Sequence, residues 1–202
     1  MIVAGVDATP AGWVCARWDG QTLEIRVVGH DPVAVLAAWP DAVVVGVDIP
    51  IGLPQQGRRR ADEAARTFVG ARASSVWPTP TRAVLEADWS PGLHVSLQAH
   101  GMRKRIFAVE RANDGRFHEV HPEVTFAFLN GRGPLESKRT WEGLQQRLAM
   151  LEAVGLRPPA TRAPADDVFD ATAVAWSAAR IARGEALTLP ADPAAGEPVI
   201  WY

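Results

Sequence analysis

The sequence predicts an α/β fold: a mixed sheet of three antiparallel strands followed by parallel strands, with a helical insert. Three observations carry this expectation. Two Val-rich apolar runs, IVAGVDA and AVVVGVD, end at or near Asp7 and Asp48. Two turn signals, Thr9-Pro10-Ala11-Gly12 and Asp19-Gly20, fold the chain back twice between those runs. Helical spacing then dominates the rest of the chain.

Residues 2–8 are rich in Val and Ile, as a buried strand requires. Residues 13–18 (WVCARW) return from the first turn, and 22–28 (TLEIRVV) return from the second. Asp31-Pro32 opens a helix to about Trp39, with Asp31 as cap and Pro32 at the first helical position. Residues 42–48 are continuously apolar up to Asp48, as in a sheet centre covered on both faces. A Pro- and Gly-punctuated loop follows, then a helix over 59–69. The prolines of GARASSVWPTP bar regular structure. Helices are expected at 81–88 and 93–111, a strand at 116–121, and a short helix from Pro122. An amphipathic helix over 140–154 should end at Gly155. Asp166 or Asp167 begins a last long helix to about Arg183, and the tail IWY is expected as an edge strand or a lid.

The order is therefore β-β-β-α-β, a helical insert, β, then helices. That is a ribonuclease H-like arrangement, in which the first and fourth strands are neighbours. Residues 1–202 are expected to form one domain, with the insert at about 55–116.

Composition narrows the function classes. The chain is 48% hydrophobic and 22% charged, as in an ordinary globule, and its net charge of −2 does not mark a nucleic-acid binder. Cys15 is the single cysteine, which excludes disulfides and cysteine metal sites within one chain. The start MIVAGVD has no basic leader region, and no apolar run reaches about 18 residues. A soluble cytoplasmic protein with no membrane partner is the expectation. Charge is uneven, however. Residues 55–116 hold eleven Arg or Lys against six Asp or Glu, net +5, leaving −7 for the remainder. This is either a solvated helical face or a basic insert suited to a polyanion.

Acidic residues at strand ends carry the chemistry. Burying a carboxylate costs several kcal/mol unless a cation or donors offset it. Several converging carboxylates suit a hard divalent metal, Mg²⁺ or Mn²⁺. The candidate metal and catalytic residues are Asp7, Asp48, Glu119, Asp167 and Asp170. Each has a structural alternative. Asp7 and Asp48 suit turns, and the residues before Asp170 suit an N-cap. Asp170 lies too far inside the helix to cap it, in a stripe of small residues, and ranks ahead of Asp167. Glu119, His121 and Glu123 alternate, with Glu119 the best ligand and His121 either structural or a general acid. No His/Cys cluster has zinc spacing. Lys138, Arg58, Arg66, Arg72, Ser74 and Ser75 are the candidate substrate contacts, with Arg139 beside Lys138.

The blocks GVDATPAGW (5–13), VDIPIGLP (47–54), RRADEAAR (59–66), GARASSVWPTP (70–80), EVHPEVTF (119–126), SKRTWEG (137–143) and DDVFDATAVAW (166–176) span most of the chain. In this order the chain resembles domain-of-unknown-function family 429, described as predicted nucleases of the ribonuclease H fold. The resemblance implies acidic site positions at Asp7, Asp48, Glu119 and Asp167 or Asp170. The DVFDA segment is also similar to the last helix of Holliday-junction resolvases.

The expected activity is a metal-dependent nuclease or phosphodiesterase acting on nucleic acid or a small phosphate ester, with a two-metal mechanism. Two alternatives stand beside it. One is a nucleotide-binding phosphotransferase of the actin and sugar-kinase type, weakened because Ala8 replaces the glycine of the Asp-x-Gly-Thr loop. The other is a metal- or nucleic-acid-binding protein without turnover.

Overall fold

The computed structural model describes residues 1–202. Strand β1 (Val3–Thr9) turns at Pro10-Ala11 into β2 (Gly12–Trp18), and β3 (Leu23–Val28) completes an antiparallel meander. Gly12 takes φ 136° at that turn, which only glycine adopts freely. Helix α1 (Val33–Ala38) crosses over to β4 (Val44–Val47). Asp31, expected as the cap with Pro32 first in the helix, sits one residue earlier: it accepts from the Val33 amide at 2.9 Å in the turn before α1, and Pro32 holds the cap position with no side-chain cap. Strand β4 runs parallel to β1, and β5 (Phe117–Glu119) runs parallel to β4. The five-stranded mixed sheet has the order β3-β2-β1-β4-β5.

Between β4 and β5 lie α2 (Arg60–Val69), a 3₁₀ segment (Gly70–Ser75), α3 (Arg82–Glu86), α4 (Leu97–Gly101) and α5 (Arg103–Ala112). The single helix expected over 93–111 is broken. His94 adopts a left-handed conformation (φ 54°), Ser96 restarts the helix by capping the Ala99 amide, and Gly101 ends that short turn. After β5 come α6 (Pro122–Leu129), α7 (Trp141–Ala153) and α8 (Ala165–Arg183). Gly155 and Gly184 end α7 and α8 at positive φ. The tail forms an edge strand. β7 (Ile200–Trp201) pairs with β6 (Thr188–Leu189), and Trp201 bridges Val120 just beyond β5.

The two faces of the sheet are covered differently. On one face Val6, Val45, Val47 and Phe117 pack with Leu85, Ile106 and Val109 of the insert. On the other, Val14 and Ala16 pack with Ala171 and Ala175 of α8. The helix lies very close. A Cβ on Gly5 would stand 2.0 Å from the Ala175 nitrogen and 2.1 Å from the Ala171 oxygen. A Cβ on Gly46 would meet Val174. Side chains alternate along a strand, so Gly5 and Gly46 identify the face on which Asp7 and Asp48 project. No helix is long and apolar enough to cross a membrane.

Candidate active site

The parallel register pairs Val6 with Val47. One residue further, Asp7 and Asp48 stand side by side on the α8 face, and the Asp48 amide still donates to the Val6 carbonyl at 3.2 Å. Asp170 comes to them from α8, one position before the Ala171 that touches Gly5. Asp7 and Asp170 are buried and Asp48 is half-buried. All three line one cleft of about 710 Å³ at the carboxyl end of the strands.

Their crowding is visible in their acidity. Burial, then the charges of Asp170 and Asp48, push the Asp7 carboxyl well above its ordinary range. Burial likewise raises Asp48, with His121 and Lys138 pulling back. Asp170 is raised to about 6, first by burial, against the opposing pull of Lys138. Asp7 Oδ1 accepts from the Ala8 amide at 2.8 Å. Asp170 Oδ2 takes the Lys138 ammonium, while Asp170 Oδ1 is buried with no hydrogen-bond partner.

Lys138 is the cation of this group. Burial works against its charge, but Asp170, Asp7 and Asp48 together hold it protonated above the ordinary lysine range. Its loop is firmly built. Thr140 caps α7 through the Gly143 amide and donates its hydroxyl to the Ser137 carbonyl. Gly143 lets that carbonyl approach, since a Cβ there would lie 2.0 Å from it. The fully buried Arg147 donates to the Glu136 and Gly143 carbonyls and to Glu123 Oε1 at 2.7 Å.

Glu119 lines the same cleft as the acidic trio but enters it from the other face of the sheet. It pairs with Val47, so it projects on the insert face. There Arg59 grips both its oxygens at 2.7 and 2.8 Å, and the Ile51 amide donates to Oε2 at 2.6 Å. Arg59 also reaches Asp62, which accepts from the Thr79 amide. Burial works against the Arg59 charge, but Glu119 and Asp62 outweigh it. Glu119, expected as a metal ligand, lines the same cleft but has both oxygens committed to Arg59, as its buried counter-ion.

The remaining expected residues divide. Arg72, Ser74, Ser75, Lys138 and Arg139 line the cleft. Arg72 also approaches Glu123 at 3.5 Å. Arg58 is exposed and outside the cleft lining, and Arg66 spends its guanidinium on the Ala73 and Val76 carbonyls. Neither faces the acids. Asp167 is half-buried and outside the cleft lining, in the first turn of α8. Sequence reading missed Arg59, whose signal was the i, i+3 spacing to Asp62 inside an Arg run. It also missed Arg147, which no pattern singles out. His121 lies in the cleft wall near enough for its charge to act on Asp48.

In this arrangement no three acidic, His or Cys side chains form a ready metal-binding group. The trio instead shares the Lys138 charge. Comparison with curated proteins and with solved structures gives no match. The family model described as "Protein of unknown function (DUF429)" matches residues 5–195, nearly the whole chain, and the protein belongs to that family.

Proposed function

We propose that this chain is a divalent-metal-dependent phosphodiesterase of the nuclease type, built on a ribonuclease H-like fold. The observation that carries the reading is the convergence of Asp7, Asp48 and Asp170 in one cleft whose rim is basic and hydroxyl-bearing. With Lys138 seated on Asp170 the three carboxylates do not form a ready metal-binding group, but their donor chemistry suits a hard cation. All three offer carboxylate oxygen, and the buried, unpartnered Asp170 Oδ1 lacks the partner that a buried polar atom normally has. Asp7, Asp48 and Asp170 would hold Mg²⁺ or Mn²⁺, with Asp167 outside that set. Bound there, the ion supplies an activated water and charge stabilisation at the phosphate.

The chain's own residues do the rest. The trio is held rigid by two strand ends and a tightly packed helix. Arg72, Arg139 and Lys138 line the cleft and would take the phosphate oxygens, with Ser74 and Ser75 adding polar contacts beside them. The insert borders the acids with Arg72 and Arg105, while the charge of Arg59 is spent on Glu119 and Asp62. Nucleic acid or a small phosphate ester is the substrate class this combination suits, in a cytoplasmic setting.

The test is a hydrolysis panel of single- and double-stranded DNA, RNA and bis(p-nitrophenyl) phosphate, with Mn²⁺, Mg²⁺ or EDTA. Cleavage that needs metal and disappears in Asp7→Asn is the expected result. A parent protein inert toward every substrate, yet binding Mn²⁺, would favour a binding role without turnover.

A further inference from the structure

Lys138 is placed where an incoming cation would have to go. Its ammonium pairs with Asp170, and its field reaches Asp7 and Asp48 as well. The carboxylates already crowd one another, and one positive charge does not satisfy them, since Asp170 Oδ1 still has no partner. An ammonium seated on Asp170 and a divalent ion compete for the same carboxylate oxygens, and their like charges repel in a poorly solvated site. The Lys138 side chain is 30% exposed, so it has a way out toward the cleft. Its backbone is anchored separately, by Thr140, Gly143 and Arg147. The side chain can therefore leave while the loop stays.

We infer that Lys138 is a built-in counter-cation: it neutralises the acidic trio in the metal-free protein, is displaced by a divalent ion, and then serves as a phosphate contact on the cleft wall. This rests on the metal reading given above and adds an exchange of cations to it. The same residue would keep the empty site folded and join the substrate site once loaded. The cost is a weakened metal affinity, since binding must first break the Lys138–Asp170 pair.

The chain has only two lysines, Lys104 and Lys138, which makes the exchange directly measurable. Lys104 is exposed on α5 and serves as an internal control. Acetylation rates at both lysines are read by mass spectrometry with and without Mn²⁺, and Mn²⁺ binding is followed separately by electron paramagnetic resonance. Saturating Mn²⁺ should raise the Lys138 rate roughly tenfold, because an ion-paired ammonium is protected, and leave Lys104 unchanged. Mn²⁺ binding with an unchanged Lys138 rate would overturn the exchange and leave the metal reading standing. No Mn²⁺ binding at all would overturn both. In a second arm, Lys138→Met should bind Mn²⁺ about tenfold more tightly, with Lys138→Arg close to the parent. Weaker binding by Lys138→Met, with its melting curve still cooperative, would show that Lys138 supports the metal site and would refute displacement.

Discussion

Glu119 is the cross-strand partner of Val47, not of Asp48, and that offset of one residue decides its role. Side chains alternate between sheet faces, so Glu119 meets Arg59 under the insert while Asp48 meets α8. Glu119→Gln should destabilise the protein by about 3 kcal/mol or more, because it leaves the Arg59 charge buried with a weakened partner. Urea unfolding measures this. Mn²⁺ affinity should stay at the parent value. A stable Glu119→Gln protein with lost Mn²⁺ binding would return Glu119 to the ligand set.

The acidic trio should make metal-free stability depend on pH. Burial and mutual repulsion raise Asp7, Asp48 and Asp170, the last to about 6. In the unfolded chain aspartates titrate near 4, so between these values the native state binds more protons. Stability from this cluster is fully present below about pH 4 and is lost as pH rises through about 6. Asp7→Asn removes one repelling charge. Relative to the parent in EDTA, it should gain about 1–3 kcal/mol on going from pH 4 to pH 7. A flat difference between the two stability curves would show that the carboxylates do not repel. If the trio holds Mn²⁺ as proposed, the order should reverse when the ion is present, since Asp7→Asn lacks one carboxylate.

Gly5→Ala should be among the most damaging substitutions. The new Cβ would collide with backbone atoms of Ala171 and Ala175, not with side chains able to turn away. Pushing α8 off β1 opens the core and withdraws Asp170 from Asp7. A loss of about 3 kcal/mol or more is expected, read as a low or non-cooperative thermal melt. A normal melt would mean that the helix shifts to make room at Gly5 without opening the core.

Gly143→Ala tests the loop selectively. Its Cβ would strike the Ser137 carbonyl, one residue before Lys138. A cost of about 1–3 kcal/mol is expected, with faster Lys138 acetylation even without metal. Unchanged acetylation would detach the loop packing from the Lys138–Asp170 pair.

If the basic rim holds a polyanion, nucleic-acid affinity should fall steeply with salt through counterion release. Arg139 is exposed on that rim. Arg139→Ala should reduce the slope of log affinity against log salt by about one and weaken binding across sequences alike. Salt-independent binding of the parent would remove the argument from the charge of the insert.

The sequence by itself determined the elements and most of the acids. Turn residues placed the meander, apolar runs placed β1 and β4, and Gly155 marked the end of α7, because these are local preferences of the backbone. Asp7 and Asp48 were legible for the same reason: each follows an apolar run whose end is marked by a turn or a proline. Asp170 was legible because it lies too deep in its helix to be a cap. Tertiary structure alone decided which partner each acid of the cleft meets. Glu119 has the right residue type at a strand end, yet register sends it to the other face. Arg59 rather than Arg58 enters the buried network, and Arg147 is buried at the heart of α7's contact with the Lys138 loop. These choices depend on how strands pair and helices approach across dozens of residues. Local propensity does not encode those distances; the parity of the sheet and the closeness of α8 at Gly5 set them.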